Sequence, residues 1–257
     1  MGGSRSIGPS NEPGNDDERA VTEVIAFILV FAVILGSVAL LYTTGFQAMH
    51  DYQEHEQLGN AEHGLTSLGD NFNDVLRYDG VDRRYGELTL RGGTMRIGGE
   101  NTTLTIGSGD PGGGEDFDLG SLQYEAGGDT IAYEGGGVFR ASGDGSVEIK
   151  RPPMRCNAER DAAVVSILVL ETDEERSIQS DDGVGFTITK SETLRAADLG
   201  EIDPTEDDLW IEIDDDSPYQ NGWEQALERN GWDEDGDAYT CDATRIEVQI
   251  VTATIDY

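Results

Sequence analysis

From Val24 to Met49 the chain reads VIAFILVFAVILGSVALLYTTGFQAM, a run without a single Asp, Glu, Lys, Arg or His. A bilayer core of about 30 Å takes about 20 apolar residues of helix, so this run is long enough to cross with some tilt. A buried core helix keeps a polar stripe, whereas this segment is apolar on every face from Val24 to Leu41. A cleaved secretory signal has a shorter apolar core of about 7–15 residues followed by a small-residue cleavage site. Here the run is longer, and Gln47, His50, Asp51 and Tyr52 follow it. The sequence therefore predicts a retained membrane helix. Basic residues favour the cytoplasmic side. Arg5 and Arg19 precede the run and no Lys or Arg follows until Arg77, which predicts a cytoplasmic N-terminus and an extracellular remainder.

Charge bounds the partners. Lys and Arg number 17 against 52 Asp and Glu, a net charge of −35 over 257 residues. Nucleic acid is excluded as a partner, because phosphate binding needs a basic footprint. Docking on an anionic membrane surface is excluded for the same reason. Such a charge commonly marks disorder, but the chain also carries many well-formed apolar segments. The composition fits a folded domain kept soluble at high salt, where a Debye length of about 3 Å at 1 M screens self-repulsion. With Lys present only at Lys150 and Lys190, the balance resembles that of proteins from extremely halophilic archaea.

Residues 1–19, rich in Gly, Ser, Asn and Asp, read as a disordered leader. Apolar residues then continue beyond the membrane run. Leu58, Ala61, Leu65, Leu68, Phe72 and Val75 fall at spacings of 3, 4, 3, 4 and 3, the seam of an amphipathic helix. This predicts one helix over 20–78, spanning the membrane at about 24–45 and packing its second half on the head. At 1.5 Å per residue it extends on the order of 85 Å, with Gly59, Gly64 and Gly69 expected to bend or weaken it. Residues 79–257 change character. Tyr85–Leu90, Thr94–Ile97, Thr102–Ile106, Thr130–Tyr133, Gly137–Arg140, Val147–Lys150, Val164–Leu170, Val184–Thr189, Leu209–Ile213 and Arg245–Ile255 read as short strands separated by turn residues. Gly107–Gly120 reads as an acidic loop, and only Tyr219–Asn230 as a second helix. The expected fold is α+β: a long N-terminal membrane-spanning helix and an antiparallel, β-rich, sandwich-like extracellular head.

The junction Asp16-Asp17-Glu18-Arg19-Ala20-Val21-Thr22-Glu23-Val24-Ile25-Ala26 resembles the class III, prepilin-type signal of archaeal type IV pilins. In the haloarchaeal version an acidic stretch and a basic residue precede Ala-Val-Ser-Pro-Val-Ile-Gly. Arg19 matches the basic residue, Ala20-Val21 and Val24-Ile25 match directly, and Thr22 stands for Ser. Glu23 replaces Pro and Ala26 replaces Gly. The resemblance, which covers about the first 60 residues, implies cleavage between Arg19 and Ala20 by a prepilin-type peptidase, with the helix retained. It also implies other pilin-like subunits as partners. Glu23 then corresponds to the glutamate many pilins carry early in the mature chain; alternatively it is a carboxylate in the first helical turn, favoured by the macrodipole, with Thr22 or a neighbour as cap. The variant with Glu23 is also similar to a group of haloarchaeal pilin-like surface proteins without an assigned function.

Other motifs carry less. Ala32 and Gly36 form a small-xxx-small pair that permits close helix packing in lipid. Cys156 and Cys241, the only cysteines, read as one disulfide in an oxidising compartment, or as two buried thiols. Asn101 heads the sequon Asn101-Thr102-Thr103, a glycosylation acceptor in an exported head. Gly107 to Gly112 matches G-x-G-x-x-G, but acidic residues and Pro111 rather than a helix follow, which argues against a nucleotide. His50, His55 and His63 lack the spacing of a helical ligand pair. Asp233, Asp235 and Asp237 resemble the start of a calcium loop, but Thr244 occupies the place of the bidentate Glu; they offer at most a weak cation site. No other cofactor and no catalytic constellation is indicated. The expected function is that of a membrane-anchored, pilin-like structural subunit of a surface filament. The alternative is a single-pass anchored surface or binding protein that does not polymerise.

Overall fold

The computed structural model describes residues 15–98, 102–109, 111–172, 174–180, 182–200, 202 and 208–257, and their side chains except at 15–20 and 46–55. The chain divides into two units, Met1–Gln53 and Glu54–Tyr257. In the first, helix α1 (Asn15–Phe72) carries the segment Val21–Gly45, long and apolar enough to cross a membrane and with none of its surface buried. The helix begins at Asn15, so Asn15 to Arg19 extend it rather than belonging to an irregular leader. Thr22 and Glu23 consequently lie inside the helix, beyond the first turn where a cap or a dipole-stabilised carboxylate would sit.

The second unit takes up the rest of α1 and wraps it in strands. Its elements are α2 (Asp74–Arg77), β1 (Arg83–Thr89), β2 (Thr94–Ile97), β3 (Thr103–Ser108), β4 (Glu115–Asp118), β5 (Ser121–Ala126), β6 (Asp129–Glu134), β7 (Gly137–Ser142), β8 (Gly145–Lys150), β9 (Met154–Asn157), β10 (Ala162–Glu171), β11 (Arg176–Gln179), β12 (Gly183–Arg195), β13 (Asp208–Ile213), α3 (Gln220–Arg229), β14 (Asp233–Asp235), β15 (Ala238–Asp242) and β16 (Arg245–Asp256). They form three sheets, in the orders β1-β12-β16-β10-β9, β11-β2-β5-β6-β7-β8 and β14-β15-β13-β3-β4. The architecture is thus α+β with a β-rich head after an N-terminal apolar helix. Every pairing is antiparallel except β10 with β16, which run parallel. A parallel pair needs a crossover rather than a hairpin, and the strands between them supply it. The expected acidic loop over Gly107–Gly120 contains β4, hydrogen-bonded to β3, so the glycine motif closes a hairpin and opens no helix.

Two apolar clusters hold the head together. The first gathers Leu58, Ala61, Leu65, Leu68 and Phe72 of α1 with Val75 and Leu76 of α2. It sets them against Leu88, Phe186, Leu168 and Val251 of the first sheet and Met95, Leu122, Tyr124, Ile131 and Tyr133 of the second. All six seam residues are buried, so the periodic seam is the surface that the strands cover. Gly64 and Gly69 lie where helix and strands approach most closely. A Cβ at Gly64 would sit 2.3 Å from Leu88 Cδ1, and one at Gly69 2.8 Å from the Tyr133 ring. These glycines permit contact, and the helix runs through them unbroken. The second cluster joins Leu104, Ile106, Leu209 and Ile211 of the third sheet to Val165, Ile167, Val248 and Ile250 of the first. It also takes in Phe139 of the second sheet and Trp223, Ala226 and Leu227 of α3. Strands β10 and β16 serve both clusters, giving Val165, Ile167, Val248 and Ile250 to the second and Leu168, Leu170, Val251 and Ala253 to the first.

Candidate functional site

Two parts of the molecule carry features beyond a plain core: the bare apolar helix and a polar hub inside the head. On the helix, the large side chains of Val21 to Tyr42 are exposed, among them Val24, Phe27, Phe31, Leu35 and Leu41. Phe27 and Phe31, one turn apart, stack with ring centroids 6.1 Å apart. In water this display of hydrocarbon has no stable place, since each buried CH2 is worth about 0.8 kcal/mol; in lipid it is the matched surface. Ala32 and Gly36 share one face of this segment, and a Cβ built at Gly36 meets nothing within 4 Å. Glu23 is exposed near the start of the apolar segment. Arg19 and Ala20 have helical backbone, while their side chains lie outside the described residues.

In the head, Cys156 of β9 and Cys241 of β15 form a disulfide, with Cα atoms 5.7 Å apart, joining the edge of the first sheet to the third. Asn101 falls outside the described residues. Asp233 and Asp235 stand on strand β14, which turns at Gly236 and Asp237 back into β15. Asp233 and Asp235, two residues apart on the strand, share a face, and Asp237 lies in the turn beyond it. Among the described residues no three His, Cys, Asp or Glu side chains are grouped so as to hold a metal ion. His63 is exposed, and the side chains of His50 and His55 are outside the described residues.

The hub is a feature that sequence reasoning missed. It sits at the turn Tyr133-Glu134-Gly135-Gly136 between β6 and β7. Gly135 (φ +58°) and Gly136 (φ +91°) adopt the left-handed conformations of a type I′ hairpin turn. On one side of this turn, Tyr133 donates its hydroxyl to Asn73 Oδ1 at 2.7 Å and Asn73 Nδ2 donates to the Gly136 carbonyl at 2.8 Å. Asn73 is the residue at which α1 gives way to α2. On the other side Glu134, with 0 % of its surface exposed, accepts from Thr102 Oγ1 at 2.6 Å, from the Thr102 amide at 3.2 Å and from Trp223 Nε1 at 2.7 Å. Thr102 Oγ1 lies 2.5 Å from Ser217 Oγ, which in turn accepts the Tyr219 amide at 3.1 Å. The Trp223 ring leans on Phe139 at 4.7 Å between centroids. Burial pushes the Glu134 carboxyl up to about 7; the hydrogen bonds from Thr102 and Trp223 oppose that rise and nearby Asp214 adds to it. In a chain with 52 acidic residues a single Glu carries no signal of its own. The one hint was its place at the end of Ile131-Ala132-Tyr133, a strand apolar on both faces.

The family profile matches residues 19–256, which takes in the apolar helix from beside Arg19 and the whole head. The chain belongs to DUF7289, a family of unknown function. No curated protein and no solved structure matches it. The match to DUF7289 thus runs through residues of both units, the exposed helix and the head. For this DUF7289 chain the arrangement offers a lipid-compatible helix whose continuation is built into a disulfide-linked head. Inside the head lies the buried polar hub around Glu134.

Proposed function

We propose that the chain is a membrane-anchored, pilin-like structural subunit of a type IV pilus-type surface filament. The observation that carries this reading is the division of labour along α1. Val21–Gly45 is apolar and bare, while Leu58 to Phe72 of the same helix form the spine of the head's first core. A subunit of this kind resides in the membrane through its first half and transfers that half to the hydrophobic centre of a filament. The short N-terminus lies in the cytoplasm, the head outside, and cleavage between Arg19 and Ala20 precedes assembly. The Cys156–Cys241 bridge suits an oxidising compartment, and the similarity of the Arg19–Ala26 junction to prepilin signals supports processing.

Cells grown at high salt and sheared provide the test, with mass spectrometry of the protein in each fraction. Recovery in sheared filaments with a mature N-terminus at Ala20 is the expected result. Recovery only in detergent-extracted membranes overturns the filament and supports an anchored surface protein that does not polymerise. Undiminished processing of an Arg19→Asp variant removes the main support for the signal.

A further inference from the structure

The far half of the first sheet has one face inside the core around α1, through Phe186, Ile188, Val251, Ala253 and Ile255. Strand alternation turns the residues between them to the opposite face, where they are exposed or half-buried. The pairing registers set two neighbouring rows there across β10, β16, β12 and β1. One row is Glu171, Thr254, Thr189 and Arg83, and the next is Asp256, Thr187 and Tyr85. Tyr85 is 60 % exposed. It lies across the backbone of Gly185, where a Cβ would sit 2.6 Å from its hydroxyl and 2.8 Å from its ring. Beside Asp256 and Glu171 the face drops into a cleft of about 630 Å3, where the carboxyl ends of β10 and β16 meet β2 and the β4–β5 corner. Buried Ile97, Leu170 and Ile255 line the cleft, and Arg176 stands at it with its guanidinium 5.8 Å from the centroid of the Tyr257 ring. Close backbone contact fixes the walls. Leu170 donates its amide to the Leu119 carbonyl at 2.8 Å, and a Cβ on Gly120 (φ +59°) would overlap the Leu170 carbonyl.

Charge and spacing choose what such a surface takes up. Asp118, Glu171, Asp256 and Glu87 outnumber Arg83 and Arg176 around it, in a chain of net charge −35, which repels an anion. A bare metal ion needs oxygens that converge, and among the described residues no three such side chains are grouped to hold one. The acceptors are instead spread along two rows, alongside threonine hydroxyls and arginine N–H groups. A neutral ligand with many hydroxyl groups satisfies spread acceptors and donors together. A sugar ring adds an apolar C–H face, which matches a tyrosine ring with its apolar body and polar tip. We propose that the cleft and the two rows bind a neutral polysaccharide chain, stacked on Tyr85 and Tyr257 and hydrogen-bonded to Glu171, Asp256 and Arg176. Tyr85 and Asp256 lie two strands apart, about 10 Å, so the site spans more than one sugar unit. The surface is the same whether or not the head enters a filament.

The test uses the full-length protein at constant high salt, in micelles of a polyoxyethylene detergent that carries no sugar headgroup. Calorimetric titration measures the binding of four neutral hexasaccharides, derived from cellulose, chitin, mannan and amylose. A hyaluronan hexasaccharide serves as the anionic control. At least one neutral hexasaccharide should bind saturably, and hyaluronan should not. Tyr85→Ala should weaken that binding about tenfold, while Tyr85→Phe, which keeps the ring, should retain it. Asp256→Asn should weaken it severalfold. Both side chains are exposed, so thermal unfolding of the variants should match wild type. Saturable binding of none of the four, or equal binding by wild type and Tyr85→Ala, overturns the proposal. Tighter binding of hyaluronan than of the neutral sugars overturns it as well, since the surface then reads charge. If Tyr85→Ala does not fold, unchanged binding by Asp256→Asn overturns it instead.

Discussion

At the scale of single residues, the head depends on a few positions where two elements come within contact distance of a backbone. Gly135 meets two constraints at once. Its φ of +58° is left-handed, and a Cβ there would lie 2.6 Å from the Trp223 ring. Gly135→Ala combines the left-handed penalty of about 1–2 kcal/mol with overpacking of about 1–3 kcal/mol. A loss of about 2–5 kcal/mol should appear as a lower urea midpoint with little change in slope. Gly69 works differently: its Cβ would press on the Tyr133 ring 2.8 Å away, and that ring is held by its hydroxyl on Asn73. The two glycines thus guard the two sides of the same hairpin.

At the scale of elements, α1 is one helix with two environments, and substitutions should divide accordingly. Leu65 is fully buried against the strands. Leu65→Ala should cost about 2–5 kcal/mol of head stability through lost burial and the cavity left behind. Leu29→Ala, in the exposed segment, should leave the head's unfolding transition in detergent unchanged. Both were legible in the sequence, because a seam at spacings of 3 and 4 and an uninterrupted apolar run are strong periodic signals. Strand β2 and helix α3 were legible nearly to the residue for the same reason, bounded by Gly and Pro. Strands β4, β9 and β14 were not. Glu115–Asp118, Met154–Asn157 and Asp233–Asp235 are short and mostly polar, and they become strands because a neighbour offers an edge. The hub was hidden for a related reason: Thr102, Glu134, Ser217 and Trp223 are far apart in the chain, and only the fold of three sheets brings them together.

At the scale of the whole molecule, the disulfide and the shared strands bind the sheets into one body. Cys156 and Cys241 are separated by 85 residues, and closing a loop of that length in the unfolded chain is worth about 4.6 kcal/mol by the loop-entropy account. Reduction under non-denaturing conditions, or the Cys156→Ser/Cys241→Ser pair, should lower the head's stability by about that much, read from denaturant titration at constant salt. The loss should fall on the head as a whole, because the bridge ties β9 in the first sheet to β15 in the third, and β10 and β16 contribute to both cores.

The position of β16 has a consequence for the order of events during synthesis. It is the last strand, yet it lies inside the first sheet between β12 and β10. Until the ribosome has delivered Arg245–Asp256, β12 has only β1 beside it and β10 only β9, and both cores lack a wall. The apolar helix is made before the head and the strand that closes the first sheet comes after its neighbours, so that sheet cannot become native stepwise as it emerges. Pairings this distant in sequence are the slow kind, and in the interval β12 and β10 each keep one open edge. A chain built this way stays unfinished until β16 arrives, and in that interval its open strand edges are the places where wrong pairing begins.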